Sequence, residues 1–215
     1  MVAPDLRGRG RSSEIAGPFS MAAHADNLVA VLDFLGIEHA TFVGHSMGGF
    51  GALVCADRYP DRARSFVLVD GGIPLELGPL AELPTDQLLA SLIGPALDRL
   101  HSTFVSTDAY CEYWRRHPAL VDAWNTDIEA ALAYDLGGQP PTLRSTVRED
   151  SVIADAESAL DHGDVARALG RLTKPTVLVR AERGILNQSP PLYPDHAVAD
   201  WLESMPTLRS VLVAG

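Results

Sequence analysis

Ala40-Thr41-Phe42-Val43-Gly44-His45-Ser46-Met47-Gly48-Gly49 is the stretch on which the reading of this chain turns. Its first half is short and apolar, and its second half sets a serine among glycines directly ahead of an amphipathic run. A serine lifted onto a strained strand-to-helix turn carries its hydroxyl exposed at the carboxyl end of a parallel sheet. Such a turn brings flanking backbone so close that glycine is needed around it, and Gly44, Gly48 and Gly49 are expected to supply that room.

Working outward, Leu28, Val31, Leu32 and Leu35 recur at helical spacing and predict a helix over Met21 to Phe34, closed by Gly36. Phe50, Leu53, Val54 and Ala56 predict a second helix running to Tyr59-Pro60. Ser65-Phe66-Val67-Leu68-Val69 is a continuous apolar run of the kind buried in a parallel sheet. Strand, serine turn, helix and strand form the context in which Gly-x-Ser-x-Gly carries chemical meaning; the bare pattern does not.

These residues resemble the α/β-hydrolase family, and three further segments carry the likeness. Pro4-Asp5-Leu6-Arg7-Gly8-Arg9-Gly10-Arg11-Ser12 is similar to the Asp-x-Arg-Gly-x-Gly-x-Ser segment after the family's fourth strand. Lys174-Pro175-Thr176-Val177-Leu178-Val179-Arg180 resembles its penultimate strand, and Leu208-Arg209-Ser210-Val211-Leu212-Val213 its last. The resemblance implies an α/β fold with a parallel sheet: the first part of the core over residues 1–72, a helical cap inserted over 73–172, and the last part of the core over 173–215. It does not name a substrate, because one scaffold hosts many chemistries.

In the family, earlier strands and a His-Gly-type loop that completes the oxyanion hole precede the Asp-x-Arg-Gly segment, and here four residues precede Asp5. The family's catalytic histidine lies beyond the last strand, and this sequence stops at Val213-Ala214-Gly215. The resemblance therefore implies that the catalytic histidine is not in this chain and that residues 1–215 alone are inactive. In the family's strand order, Ala40 to Gly44 becomes a sheet edge with unpaired backbone and bare apolar faces, which predicts marginal stability or aggregation of these residues alone.

The cap is expected because the pattern between Asp70 and Thr173 is helical, broken at Pro74, Pro79, Pro84, Pro95, Pro118 and Pro140-Pro141. Leu88, Leu89, Leu92, Ile93 and Leu97 form one stripe, and Leu120, Val121, Trp124, Ile128 and Leu132 another, with no strand signal. A lid over the serine would line a pocket with apolar groups and exclude water.

At 215 residues, 47% hydrophobic and 21% charged, the chain can bury one sizeable core, and one domain with a large insertion is expected. A net charge of −11 argues against nucleic acid or an anionic membrane as partner and by itself selects none; the small-molecule substrate is what the resemblance implies. No run has the length of a transmembrane helix, and Met1-Val2-Ala3-Pro4-Asp5 lacks the features of a signal peptide, so a cytoplasmic setting is expected. Cys55 and Cys111 do not form a spaced framework, and the absence of His-x-x-x-His and Cys-x-x-Cys leaves no metal site or cofactor to propose.

The chemistry follows from what a serine needs: a base, a carboxylate to orient that base, and N–H groups to meet the developing oxyanion. Ser46 is the candidate nucleophile. By the resemblance, the Met47 amide, in the first turn of a helix, is one oxyanion donor. The family's usual acid site reads Ala181-Glu182-Arg183-Gly184, with glycine where aspartate would stand. Some members of the family take the acid from the end of the preceding core strand instead, so the resemblance favours Asp70, ending the Val69-Asp70-Gly71-Gly72 run, with Glu182 as the alternative.

His45 is expected to point away from Ser46 and to pack or hydrogen-bond behind it. His24, His39, His101, His117, His162 and His196 fall outside the family's catalytic position and are assigned ordinary structural roles. The resemblance implies that Asp5 and Arg7 pair and brace the sheet end, and Arg9 and Arg11 are expected to form solvated or local ion pairs. Asp150, Asp155, Glu157 and Asp161 are read as a solvated acidic helix face.

The function that follows is a serine hydrolase cleaving a small carboxylic ester or related acyl bond. Two alternatives stay open: a carbon-carbon bond hydrolase or cofactor-free peroxidase on the same strand-to-helix turn, the elbow that carries Ser46, and a catalytically silent fragment or binding module.

Overall fold

Ser20 opens the first helix, α1 (Met21–Phe34), by accepting the Ala23 amide on its hydroxyl at 3.1 Å. Gly36, at φ 66°, lets the chain turn out of that helix into β1 (Ala40–His45). The computed structural model describes residues 1–214, the side chains of Pro95 and His162 excepted; Gly215 lies outside the described residues. From β1 the chain passes into α2 (Met47–Arg58) and β2 (Ala63–Val69). A helical stretch follows, α3 (Thr85–His101), α4 (Thr107–Arg115) and α5 (Thr126–Asp135). Then come β3 (Leu136–Gly137), β4 (Arg144–Ser145), α6 (Glu149–Leu160), α7 (His162–Gly170), β5 (Thr176–Ala181), α8 (Asp195–Ser204) and β6 (Leu208–Val213).

The main sheet is parallel throughout, in the order β1-β2-β5-β6, so β1 is an edge strand. Register sets Phe42 beside Phe66, and Leu68 beside Leu178, on one face. That face is buried: Phe66 is 1% exposed, and Leu68 and Leu178 are fully buried, in one core with Leu53 and Val54 of α2, Met21 and Ala25 of α1, and Val165 and Ala168 of α7. Each large side chain so buried contributes about 1.5–3 kcal/mol. The opposite face has no such cover. Val43 is 68% exposed, Val211 49% and Val213 50%, with Val67, Val69, Val177 and Val179 half-buried between them.

The segment 73–172 divides by burial. Phe104, Tyr110 and Leu143, with Trp114, Leu132 and Leu136 against them, make a small core of their own, whereas α7 contributes to the main one. Two features of this segment differ from the sequence reading. A short antiparallel pair, β3 with β4, stands where no strand signal was present, because each strand is only two residues long. The second apolar stripe is also not one helix: Asn125 accepts the amides of Asp127 and Ile128 and starts α5 only there, leaving Leu120 and Val121 in turns and Trp124 in irregular chain.

Candidate active site

Ser46 sits between β1 and α2 with φ 49° and ψ −120°, a conformation outside the regions an ordinary side chain adopts. Its amide donates to the Val69 carbonyl at 2.8 Å, so the end of β2 holds the turn from the side. A Cβ on Gly44 would run into the carbonyl of Gly48, and one on Gly71 into the carbonyl and Cα of Ser46. Gly49 closes the arrangement, since its Cβ would lie 2.8 Å from the Gly71 carbonyl carbon. Gly48 corrects the expectation: a Cβ there would meet nothing within 4 Å, so the room is supplied by Gly44, Gly49 and Gly71.

Ser46 is exposed, so the helices of the 73–172 segment leave it open to solvent rather than roofed. Two surface grooves lie elsewhere. One runs between Leu75, Glu76 and the Trp201 face of α8, the other between Leu6, Ile15 and Phe34. Met47 is the first residue of α2, where a helix leaves its amide without an intrahelical acceptor and concentrates partial positive charge.

Asp70 and Glu182 follow adjacent strands. The Asp70 backbone, at φ 43°, donates to the Val179 carbonyl at 2.7 Å, and its Oδ1 accepts the Ala181 amide at 3.4 Å. Glu182 is exposed, and no hydrogen bond or ion pair of its carboxylate is present among the described residues. Buried Tyr193 donates its hydroxyl to the Ile73 carbonyl at 2.6 Å, pinning the loop after β5 to the chain leaving Asp70. Burial pushes that phenol's pKa up, and the Asp70 charge adds to the rise against the opposing Ile73 bond.

No described histidine hydrogen-bonds to Ser46. His45 differs from expectation: it is exposed on the uncovered face of β1 and has no side-chain partner among the described residues. His39 meets the Asp61 carbonyl at 2.6 Å, His101 pairs with Glu149 at 3.0 Å, and His196 with Glu76 at 2.8 Å. His117 accepts the Ala119 amide, and the His162 side chain lies outside the described residues. Among the described residues no group of three or more His, Cys, Asp or Glu could hold a metal, and no helix is long and apolar enough to cross a membrane.

Two readings of charged residues are overturned. Asp155 is 1% exposed, its carboxylate shared between Arg9 at 2.7 Å and His24 at 2.8 Å, so it is no part of a solvated face. Helical spacing could not show this, because both partners lie more than a hundred residues away in sequence. Asp5 does not pair with Arg7. It accepts the Arg11 amide at 2.9 Å and the Tyr134 hydroxyl, while Arg7 reaches the Ala16 carbonyl and Asn27, each at 3.0 Å.

With this geometry in place, known proteins can be set beside it. The family described as "alpha/beta hydrolase fold" matches residues 1–95. A 2-(acetamidomethylene)succinate hydrolase of Mesorhizobium japonicum is 27% identical over 215 residues, covering all of this chain and 70% of that protein. A bifunctional esterase/perhydrolase of Acinetobacter calcoaceticus is 40% identical over 76 residues, 35% of this chain and 28% of that one. For the curated relatives matched over about 70 to 76 residues, the chain spans about a quarter of their length. The crystal structure of E-2-(acetamidomethylene)succinate hydrolase superposes with a TM-score of 0.73 at 26% identity, over 98% of this chain and 71% of that one.

Proposed function

We propose that this chain, whose fold is that of the α/β hydrolases, carries the nucleophile of a serine hydrolase that cleaves a small carboxylic ester or related acyl bond. The observation that carries the reading is the backbone of Ser46, at φ 49° and exposed, gripped by Val69 and by the glycines at 44, 49 and 71. Strain of this kind, about 1–3 kcal/mol, persists where the surroundings over-determine it, and it clusters at active sites.

In the proposed reaction the Ser46 hydroxyl attacks the acyl carbon as a base takes its proton, and the carbonyl oxygen becomes an oxyanion facing the Met47 N–H. Collapse expels the alcohol, protonated by the same base, and leaves an acyl group on Ser46 for water to remove. Asp70 is assigned as the acid orienting the base. Its carboxylate is held by the Ala181 amide one strand from Ser46, whereas Glu182 is exposed. The base is assigned to a histidine other than the described ones, none of which hydrogen-bonds to Ser46. On this reading residues 1–215 alone do not turn over an ester.

The test uses the full-length protein and a panel: a nitrophenyl acetate, a dienoic acid for the carbon-carbon reading, and 2-(acetamidomethylene)succinate, the compound in the name of the relative covering the whole chain. Ester or amide turnover that Ser46→Ala abolishes is expected. Turnover that survives Ser46→Ala would sink the reading, and cleavage of the dienoic acid alone would move it to the carbon-carbon class.

A further inference from the structure

A buried polar cluster outside the proposed nucleophile, base and acid converges on the first residue of the elbow helix. Arg9 donates from one terminal nitrogen to Asp155 at 2.7 Å, to the Arg7 carbonyl at 3.2 Å and to the Ser151 hydroxyl at 3.5 Å. Its other terminal nitrogen donates to the Met47 sulfur at 3.3 Å. Asp155 gives its second oxygen to His24 of α1 at 2.8 Å, and both side chains are buried. The loop carrying Arg9 is clamped on the start of α6: the Arg148 amide donates to the Gly8 carbonyl at 2.9 Å, and a Cβ on Gly8 would lie 2.6 Å from that of Ser151.

A brace between α1 and α6 needs only the His24–Asp155 bond. The Arg9 contact to Met47 is of another kind. A thioether sulfur is a weak acceptor, so the bond itself contributes little. A guanidinium is a rigid planar fork, however, so anchoring one arm on a buried carboxylate dictates where the other arm lies. That arm rests on the side chain of the residue whose amide is proposed to meet the oxyanion. Asp155 neutralises the guanidinium, which makes the effect one of placement rather than of charge reaching the substrate.

We infer that Arg9, anchored by Asp155, is a positioning residue that seats Met47 and thereby aims the proposed oxyanion-binding amide. The inference rests on the reading of Ser46 as nucleophile. Misplacement of a catalytic group by about 1 Å costs on the order of a hundredfold in rate, so a partial loss of aim should lower turnover by about tenfold.

The experiment measures kcat and KM for a nitrophenyl acetate, together with melting temperature, on the full-length protein and its Arg9→Lys, Arg9→Met, Met47→Leu and Arg9→Met/Met47→Leu variants. Labelling with a fluorophosphonate establishes the nucleophile first. Lysine can keep the ion pair with Asp155 but has no second arm for Met47. Arg9→Lys is therefore expected to hold the melting temperature near wild type while kcat falls about tenfold and KM stays within about twofold. The double variant is expected to lose no more than the larger single loss. Should Arg9→Met fail to fold, Arg9→Lys and Met47→Leu still decide the matter. A wild-type kcat in Arg9→Lys overturns the inference while leaving the nucleophile standing, as do losses in the double variant that multiply. Absence of labelling and of turnover in the wild-type protein overturns both.

Discussion

Two regions of this molecule reach definite geometry by different means. Around Ser46, backbone lies against backbone: Gly44 on Gly48, Gly49 on Gly71, Gly71 on Ser46. Between residues 99 and 146, side chains do the holding. Asp135 accepts from the Tyr110 hydroxyl at 2.5 Å, from Ser145 at 2.8 Å and from Arg99 at 3.1 Å, beneath the packed rings of Phe104, Tyr110 and Trp114. A backbone contact excludes every side chain and is independent of pH. A side-chain contact can be trimmed by one atom and answers to protonation. The first kind suits a group that must be aimed, and the second suits a segment that must only be kept in place.

The difference is most exposed by adding a single methyl group. Gly71→Ala drives a Cβ into the Ser46 main chain and is expected to cost on the order of 4 kcal/mol or to prevent folding, read by thermal melting. A near-native melt would break the claim that backbone crowding sets the elbow. Tyr110→Phe removes one atom from the side-chain-held region and strips a partner from Asp135, for an expected loss of about 1–3 kcal/mol by denaturant titration. Retained stability would mean that Arg99 and Ser145 suffice.

Protonation sharpens the contrast at the back of the elbow helix, where Asp57 accepts from Arg167 at 2.8 Å and Arg171 at 3.0 Å. Burial pushes the Asp57 carboxyl up, but the two arginines outweigh it and hold its pKa below the ordinary value. Its contribution is thus fully present above the ordinary aspartate range, near pH 4, and is lost as pH falls through the depressed value. The stability gap between wild type and Asp57→Asn should be constant from pH 7 to about pH 5 and close under more acid conditions. A gap that closes already above pH 5 contradicts this. The smallest effect is expected at Gly48→Ala, where nothing stands in the way and the position is helical: unchanged stability, or a gain of about 0.5–1 kcal/mol.

The same division explains what could be read from the sequence. The elbow was legible because crowding leaves glycines at short range, and α1 because it repeats a helical period over Met21–Phe34, whereas β6 was legible only through the likeness of Leu208–Val213 to the family's last strand. Gly48 was misjudged because a glycine in a pattern does not say what stands opposite it. Asp155 was illegible as a buried anchor, since its partners come from Arg9 and His24, and spacing along α6 reports only neighbours on that helix. Asp5 was illegible for the same reason, with Tyr134 supplied from the far end of α5. Local crowding is written locally, and long-range pairing of polar side chains is not.

The central claim, that Ser46 is a nucleophile displayed by that crowded backbone, is tested most directly by treating the folded full-length protein with a fluorophosphonate and mapping the adduct by peptide mass. The account predicts one adduct per chain on the peptide containing Ser46, and none in Ser46→Ala. An intact, folded protein that takes no label there, or takes it on another residue, contradicts it.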